Sequence, residues 1–319
     1  AALSEGPDRE RIETIRAQRE VLTESLRGRG AEVAPSEASF VLARFDDADL
    51  VWRGLGAVGI SVRRFPGRPD LDGWLRITLP GDEKNFDRLT RALQTVLSPE
   101  ALLFDMDGVL ADVSRSYRRA IIDTAAAWDV ELTPQEIAHA KASGNATNDW
   151  ELTRRLLVGR GVEVALEEVT DRFEAVYQGS VEAPGLRRFE ALRIDREILA
   201  RLAARQPLAV VTGRPRSDAQ RFLDEQGIAD LFSTMVCMED GPSKPDPAPV
   251  RLALQCLGAN TAWMVGDTPD DMRAARNAGV VPIGLLAVGD DPTSMRQALA
   301  AAGAARIIDE PKDLEELLP

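Results

Sequence analysis

"ALLFDMDGVLAD", residues 101–112, runs from a short apolar segment into two aspartates one residue apart, with a glycine directly after the second. A continuous apolar run of this length, bounded by turn residues, reads as a buried strand. In an extended segment residues i and i+2 point to the same side, so Asp105 and Asp107 would repel each other unless a partner offsets their charge. Two further stretches share the form, "PLAVVTGRP" at 207–215 and "AWMVGDTPDD" at 262–271. Helical segments lie between them, the pattern of a parallel sheet with helices on its faces, and ligands of such sheets gather at the carboxyl ends of the strands. All three polar strand ends therefore converge on one crevice.

Outward from this core, residues 113–195 read almost wholly helical and are too many for an ordinary crossover, so they are expected to form a cap over the crevice. Upstream, residues 8–29 form an amphipathic helix pattern. There follow "SFVLARF" as a strand, a helix ending at Gly59, strands at "ISVRRF" and "WLRITL", and a helix over 82–97, together a small α+β layer. Pro99 in "LSPE" ends that helix just before the first core strand. The fold class is α/β: residues 1–98 form the N-terminal α+β domain, 99–112 and 196–319 the Rossmann-like core, and 113–195 the inserted cap.

Composition narrows the function. The chain has 319 residues, 44% hydrophobic and 29% charged, with a formal charge of -13 and a pI near 4.8. Such an acidic surface repels nucleic-acid backbones and anionic membranes, so neither is the expected partner. No apolar run approaches the roughly 18 residues of a membrane span. Cys237 and Cys256 are too few for a disulfide framework, which fits a reducing cytoplasm, and both read as buried fillers. His139 is the sole histidine, which removes Ser-His-Asp triads and multi-histidine zinc sites and leaves carboxylate chemistry.

"FDMDGVLAD", "VVTGRP", "SKPDP" and "VGDTPDD", in this order, resemble the four motifs of the haloacid dehalogenase (HAD) superfamily, in particular its phosphatases with an α-helical cap inserted after the first motif. The chemistry follows from the residues. Asp105 at its strand end is placed to attack phosphorus and form an aspartyl-phosphate. Asp107 is the general acid for the leaving oxygen and then the base for water. Gly108 turns the backbone so that nearby amides face the phosphoryl oxygens. The Thr212 hydroxyl, the Gly213 amide and the Lys244 ammonium stabilise the transferring group. Asp105, Asp107 and Asp267 form an oxygen-rich set suited to Mg²⁺, with Asp271 as its orienter. A cation and a phosphoryl group would make the crowded aspartates tolerable.

In the cap, "KASGNATNDW" at 141–150 lies where the resemblance places a substrate-facing loop. Lys141, Asn145, Asn148, Asp149 and Trp150 are the expected leaving-group contacts. The alternative is a polar helix-loop-helix joint in which Asn148 or Asp149 caps the next helix and Trp150 packs inside. Arg214 either reaches substrate or pairs with a cap acid. Relatives that cleave carbon–halogen bonds lack an acid at the position of Asp107, so the resemblance implies phosphate esters. Phosphomutases share all four motifs and stay open as an alternative, as does a non-catalytic interaction module.

Residues 1–98 resemble the C-terminal small domain of fold-type I pyridoxal-phosphate aminotransferases, most closely histidinol-phosphate aminotransferase, through "VAPSEASFVLARF", "GISVRRF", "LRIT" and "NFDRLTRAL". Ser39 stands where that family has asparagine, and Arg76 where it has an arginine gripping an anionic substrate group. The cofactor-bearing domain is absent from these residues, so no pyridoxal phosphate is expected and Arg63 and Arg76 have no assured role; the segment is expected to be either a piece of a longer fusion or a scaffold or homodimerisation module. The resemblance also implies a substrate, because a phosphatase joined to such a segment points to histidinol phosphate among small phosphorylated metabolites.

Overall fold

The computed structural model describes residues 9–318 and divides into two compact units, Ala1–Pro99 and Glu100–Pro319. In the first, α1 (Arg9–Arg27) leads to β1 (Glu32–Val33), β2 (Phe40–Arg44), α2 (Ala48–Ala57), β3 (Trp74–Thr78) and α3 (Glu83–Leu97). The three strands form an antiparallel sheet in the order β1-β2-β3, with Phe40 opposite Thr78 and Glu32 opposite Arg44. Val41, Ala43, Leu75 and Ile77 alternate onto one buried face, against helices that bury Leu22, Leu26, Leu50, Val51 and Leu55. Asp47 and Asp82 cap α2 and α3 by accepting from the amides of Leu50 and Asn85, both at 2.9 Å.

One expectation for this unit is corrected, and one strand was not expected. "ISVRRF" forms no strand: only Arg63 pairs, exchanging backbone hydrogen bonds of 3.1 and 2.8 Å with Arg76. Pro66 and Gly67, the latter at φ +77°, turn the chain away before a ladder can extend. The two residues of β1 are too few to show an alternating pattern, and so went unforeseen.

The second unit begins with β4 (Ala101–Phe104), every residue of which is buried. After it come β5 (Ala111–Asp112), then α4 (Tyr117–Ala125), α5 (Pro134–Ala142), α6 (Asp149–Val158) and α7 (Leu166–Gln178), then β6 (Ala191–Leu192). β5 and β6 pair antiparallel, Ala111 with Leu192 and Asp112 with Ala191, so the two crossings between core and cap form one ribbon. The chain continues as α8 (Arg196–Arg205), β7 (Leu208–Val211), α9 (Arg216–Glu225), β8 (Thr234–Val236), α10 (Ala248–Leu257), β9 (Ala262–Gly266) and α11 (Pro269–Ala278). It closes with β10 (Val281–Leu285), α12 (Pro292–Ala302), β11 (Arg306–Ile308) and α13 (Asp313–Leu317).

Six strands make one parallel sheet in the order β11-β10-β9-β4-β7-β8. The strand order reverses at β4: the chain builds β7 and β8 on one side, then crosses to β9 and builds outward on the other. A crevice opens outside the carboxyl ends of strands at such a switch point. β4, β7 and β9 are buried along their whole length, so they read as continuous apolar runs. Cys237 is buried as expected, but Cys256 is exposed on α10, because its helix covers the sheet with Val250 and Ala253 instead. No helix among the described residues is long and apolar enough to cross a membrane.

Candidate active site

Three strands of the switch point end one residue before a polar side chain: Asp105 after β4, Thr212 after β7 and Asp267 after β9. Their backbones are pinned in place, the Asp105 amide donating to Val265 O and the Thr212 amide to Val236 O, each at 2.9 Å. Carboxylate oxygens of Asp105, Asp267 and Asp271 all lie within 4.8 Å of one another, and all three residues are buried. Lys244, from the loop after β8, reaches into them: its Nζ lies 2.8 Å from Asp105 Oδ1 and 2.6 Å from Asp271 Oδ1, and donates to Val211 O at 3.0 Å. Asp271 is further fixed by the Thr268 amide at 3.0 Å and hydroxyl at 2.6 Å, which close a capping box at the start of α11.

The electrostatics of this cluster are unbalanced. Burial opposes the charge of Lys244, yet the Asp105 and Asp271 carboxylates outweigh it and hold the ammonium above its usual range. For Asp105, burial is the largest influence; with the repulsion of Asp271 and Asp107 it prevails over the attraction of Lys244 and pushes the carboxyl up to about 7. Burial, then Asp271 and Asp105, push Asp267 well above the usual carboxylate range, and its buried Oδ1 has no hydrogen-bond partner among the described residues. A buried, partnerless carboxylate oxygen beside two more carboxylates fits a hard divalent cation, which would remove both the repulsion and the unmet polar atom. Gly108, at φ +74°, completes the cradle: a Cβ there would collide with the Asp267 carboxylate.

Of the three expected carboxylate ligands, Asp105 and Asp267 share the cluster and Asp107 does not. The Asp107 carboxylate lies outside the three-acid cluster and turns to Arg214, whose Nε and Nη2 each approach Oδ1 at 2.6 Å. The third carboxylate of the cluster is that of Asp271, held by Lys244 and Thr268. Of the two roles expected for Arg214, the structure has it pairing with a cap acid. Its guanidinium also donates to both oxygens of Glu190 at 3.0 Å, stacks 4.6 Å from the Tyr117 ring centroid and is 2% exposed, so it has little left for a substrate. Its charge is held by Asp107 and Glu190 against the cost of burial.

The cap loop over 143–148 lies directly on the core. A Cβ at Gly213 would fall 2.6 Å from Thr147 O, the Thr147 hydroxyl donates to Lys244 O at 3.1 Å, and the Ala146 amide donates to Asp270 Oδ2 at 3.1 Å. Between loop and core, Asp107, Tyr117, Asp149, Trp150, Arg214 and Met238 line a space of about 10 Å³, room for one water. This is a closed cap, which must open to admit substrate.

Most of the expected leaving-group contacts in the cap are spent on the cap itself. Lys141 and Asp149 are both buried and pair with each other at 3.0 Å. Asn148 caps α6, accepting from the amides of Trp150 at 3.0 Å and Glu151 at 3.1 Å. Trp150 lines the space but donates its Nε1 to Glu174 Oε1 at 3.1 Å. Asn145 is exposed, adopts φ 54°, and its carbonyl accepts from Arg155 at 2.6 Å. His139 is an exposed residue of α5. The sequence reading missed Glu190, Tyr177, Arg118 and Arg193. Arg193 donates to Gly108 O, clamping the turn after Asp107, and to Leu286 O at 3.0 Å, while Arg118 pairs with Asp290. Nothing in their local sequence marks these residues, which reach the site only through folding.

The description of haloacid dehalogenase-like hydrolases matches residues 99–279. The phosphoglycolate phosphatase of Pectobacterium atrosepticum is 34% identical over 197 residues, covering 58% of this chain and 79% of that protein. The imidazoleglycerol-phosphate dehydratase of Phytophthora nicotianae is 51% identical over 195 residues, an alignment longer than the N-terminal unit alone, covering 59% of this chain; the chain spans only 43% of that protein. The crystal structure of a predicted phosphoglycolate phosphatase from Haemophilus somnus superposes with a TM-score of 0.56 at 22% identity, covering 68% of this chain and 97% of that one, a likeness of fold. With more than half its length matched and its carboxylates, threonine and lysine gathered at the switch point, the chain belongs to the haloacid dehalogenase-like hydrolase family, as an enzyme of the phosphatase kind.

Proposed function

We propose that this chain is a Mg²⁺-dependent phosphomonoesterase acting through an aspartyl-phosphate on Asp105, and that its substrate is a small phosphate ester with a neutral or cationic alcohol, specifically histidinol phosphate. The observation that carries the chemistry is Lys244 bridging Asp105 and Asp271 beside the partnerless oxygen of Asp267. First, a carboxylate oxygen of Asp105 bonds to phosphorus as the bond to the alcohol oxygen breaks, and Asp107 gives that oxygen its proton. Then Asp107 takes a proton from water, the water oxygen bonds to phosphorus, and the bond to Asp105 breaks to release inorganic phosphate. Thr212 and Lys244 stabilise charge on the transferring group. A cation held by Asp105 and Asp267 would add charge stabilisation at the phosphoryl oxygens, and an all-oxygen donor set suits Mg²⁺.

The substrate reading rests on what the site's cations are doing. Lys141 is tied to Asp149, Arg118 to Asp290, Arg193 to two carbonyls and Arg214 to Asp107 and Glu190. Lys141, Arg118 and Arg214 each already meet a carboxylate, which leaves them no charge free for one such as that of phosphoglycolate, whereas Trp150 lines the space and offers aromatic surface to an imidazole or an amine. The dehydratase relative is named for a phosphate ester that carries an imidazole, and the N-terminal resemblance points the same way. A panel of phosphate esters with Mg²⁺ tests both parts. Histidinol phosphate should exceed phosphoglycolate and sugar phosphates in kcat/KM by about tenfold or more. Equal turnover of phosphoglycolate would sink the substrate, isomerised sugar phosphate without free phosphate would favour a mutase, and no turnover of any ester would sink the phosphatase.

A further inference from the structure

We infer that Arg214 is a positioning residue that ties the acid/base carboxylate of Asp107 to the closed cap, and that Glu190 is the anchor through which it does so. The inference rests on the phosphatase reading above and adds to it a control on which oxygen of Asp107 handles protons.

Arg214 belongs to the core, three residues past β7, but its guanidinium is enclosed by the cap and its crossings: Tyr117 begins α4, Tyr177 lies near the end of α7, and Glu190 directly precedes β6. Glu190 accepts both Arg214 Nη1 and Nη2 at 3.0 Å, and its Oε1 also accepts the Ser116 hydroxyl at 3.0 Å and the Tyr177 hydroxyl at 3.1 Å. So fixed on one side, the planar fork presents Nε and Nη2 to the other, and both meet Asp107 at the same oxygen, Oδ1. With Oδ1 occupied, Oδ2 is the oxygen left to give or take a proton, on a side chain that is 22% exposed and lines the space under the cap.

The anchors lie on cap segments and at the crossing, so an open cap would loosen the grip on Arg214 and with it the aim of Asp107. Proton transfer would then be available only around a substrate already enclosed. A guanidinium buried to this degree would be an expensive way merely to fill space, since a buried charge is tolerated only when fully paired. The Arg214 pairs are complete on both sides, and one of the two partners is the residue that must act.

The test uses the full chain with Mg²⁺ and two variants, Arg214→Lys, which keeps charge but not the fork, and Glu190→Gln, which keeps shape but not charge. The probes are p-nitrophenyl phosphate, whose phenolate leaves without a proton, and an alkyl phosphate, whose alkoxide does not. In Arg214→Lys, release of p-nitrophenolate should show a burst of one per active site, with phosphate on Asp105 trapped by acid quench, then a steady state slowed roughly 10²-fold because activation of water is impaired. The alkyl ester should show no burst and a comparable loss in kcat. Glu190→Gln should show the same split with a smaller loss. Burst and steady state failing in proportion, in whichever variant folds, would mean a structural role only and would overturn the inference. So would parental turnover of the alkyl ester. An inactive parent enzyme would instead refute the phosphatase reading beneath it.

Discussion

The core and cap sides of the site contain the same kinds of residue and use them in opposite ways. On the core side, Asp105, Asp267, Asp271 and Lys244 crowd together with more negative charge than one lysine can offset, and a carboxylate oxygen is left without a partner. On the cap side, Lys141 and Asp149 offset each other's charge at 3.0 Å, Asn148 satisfies the start of a helix, and Trp150 donates to Glu174. Polar residues that complete one another hold a shape, while polar residues that do not are waiting for something else. The residual imbalance, more than the presence of acids and amines, marks where chemistry is done.

The strongest way to break this contrast is Asp105→Asn. It should lower turnover of every phosphate ester by roughly 10⁴-fold or more while far-UV circular dichroism stays that of the parent. Activity near that of the parent would remove the core side from the chemistry.

On the cap side, Lys141→Met alone leaves Asp149 buried and uncompensated, and should cost roughly 3–5 kcal/mol in urea unfolding. Replacing both, as Lys141→Met with Asp149→Leu, should recover most of that and retain turnover. If the double variant is no more stable than Lys141→Met alone, or is folded but inactive, the pair serves a ligand after all.

The core imbalance also predicts a pH dependence of the opposite sign from that of a salt-bridged acid. Asp105 is pushed up to about 7 from an ordinary 3.8, so between those values the folded protein holds a proton that the unfolded chain has released. Stability without divalent cation should therefore fall as the pH rises from about 4 toward 7, by an amount on the order of a few kcal/mol. Added Mg²⁺ should stabilise the protein most at the upper end of that window. A melting temperature independent of pH, with and without the cation, would contradict the crowding.

The smallest effect should come from Asn148→Ala, which removes the α6 cap for about 1 kcal/mol of stability and leaves kcat near that of the parent. A large loss in kcat with little loss of stability would show Asn148 touching substrate.

From sequence alone, the address of each core residue could be read. Asp105, Thr212 and Asp267 each follow a fully apolar run, and a parallel sheet brings such strand ends together whatever lies between them. The helical insertion was legible too, from its length and period. What only the tertiary structure decided is who pairs with whom. Arg214 and Asp107 are 107 residues apart in the chain, and Glu190 lies at the end of the insertion between them. Local sequence fixes strands, helices and turns because those depend on neighbouring residues. The partner of a buried charge depends on which side chains the whole fold brings within about 3 Å, and that is why Asp107 belongs to an arginine and Asp271 to the acid cluster.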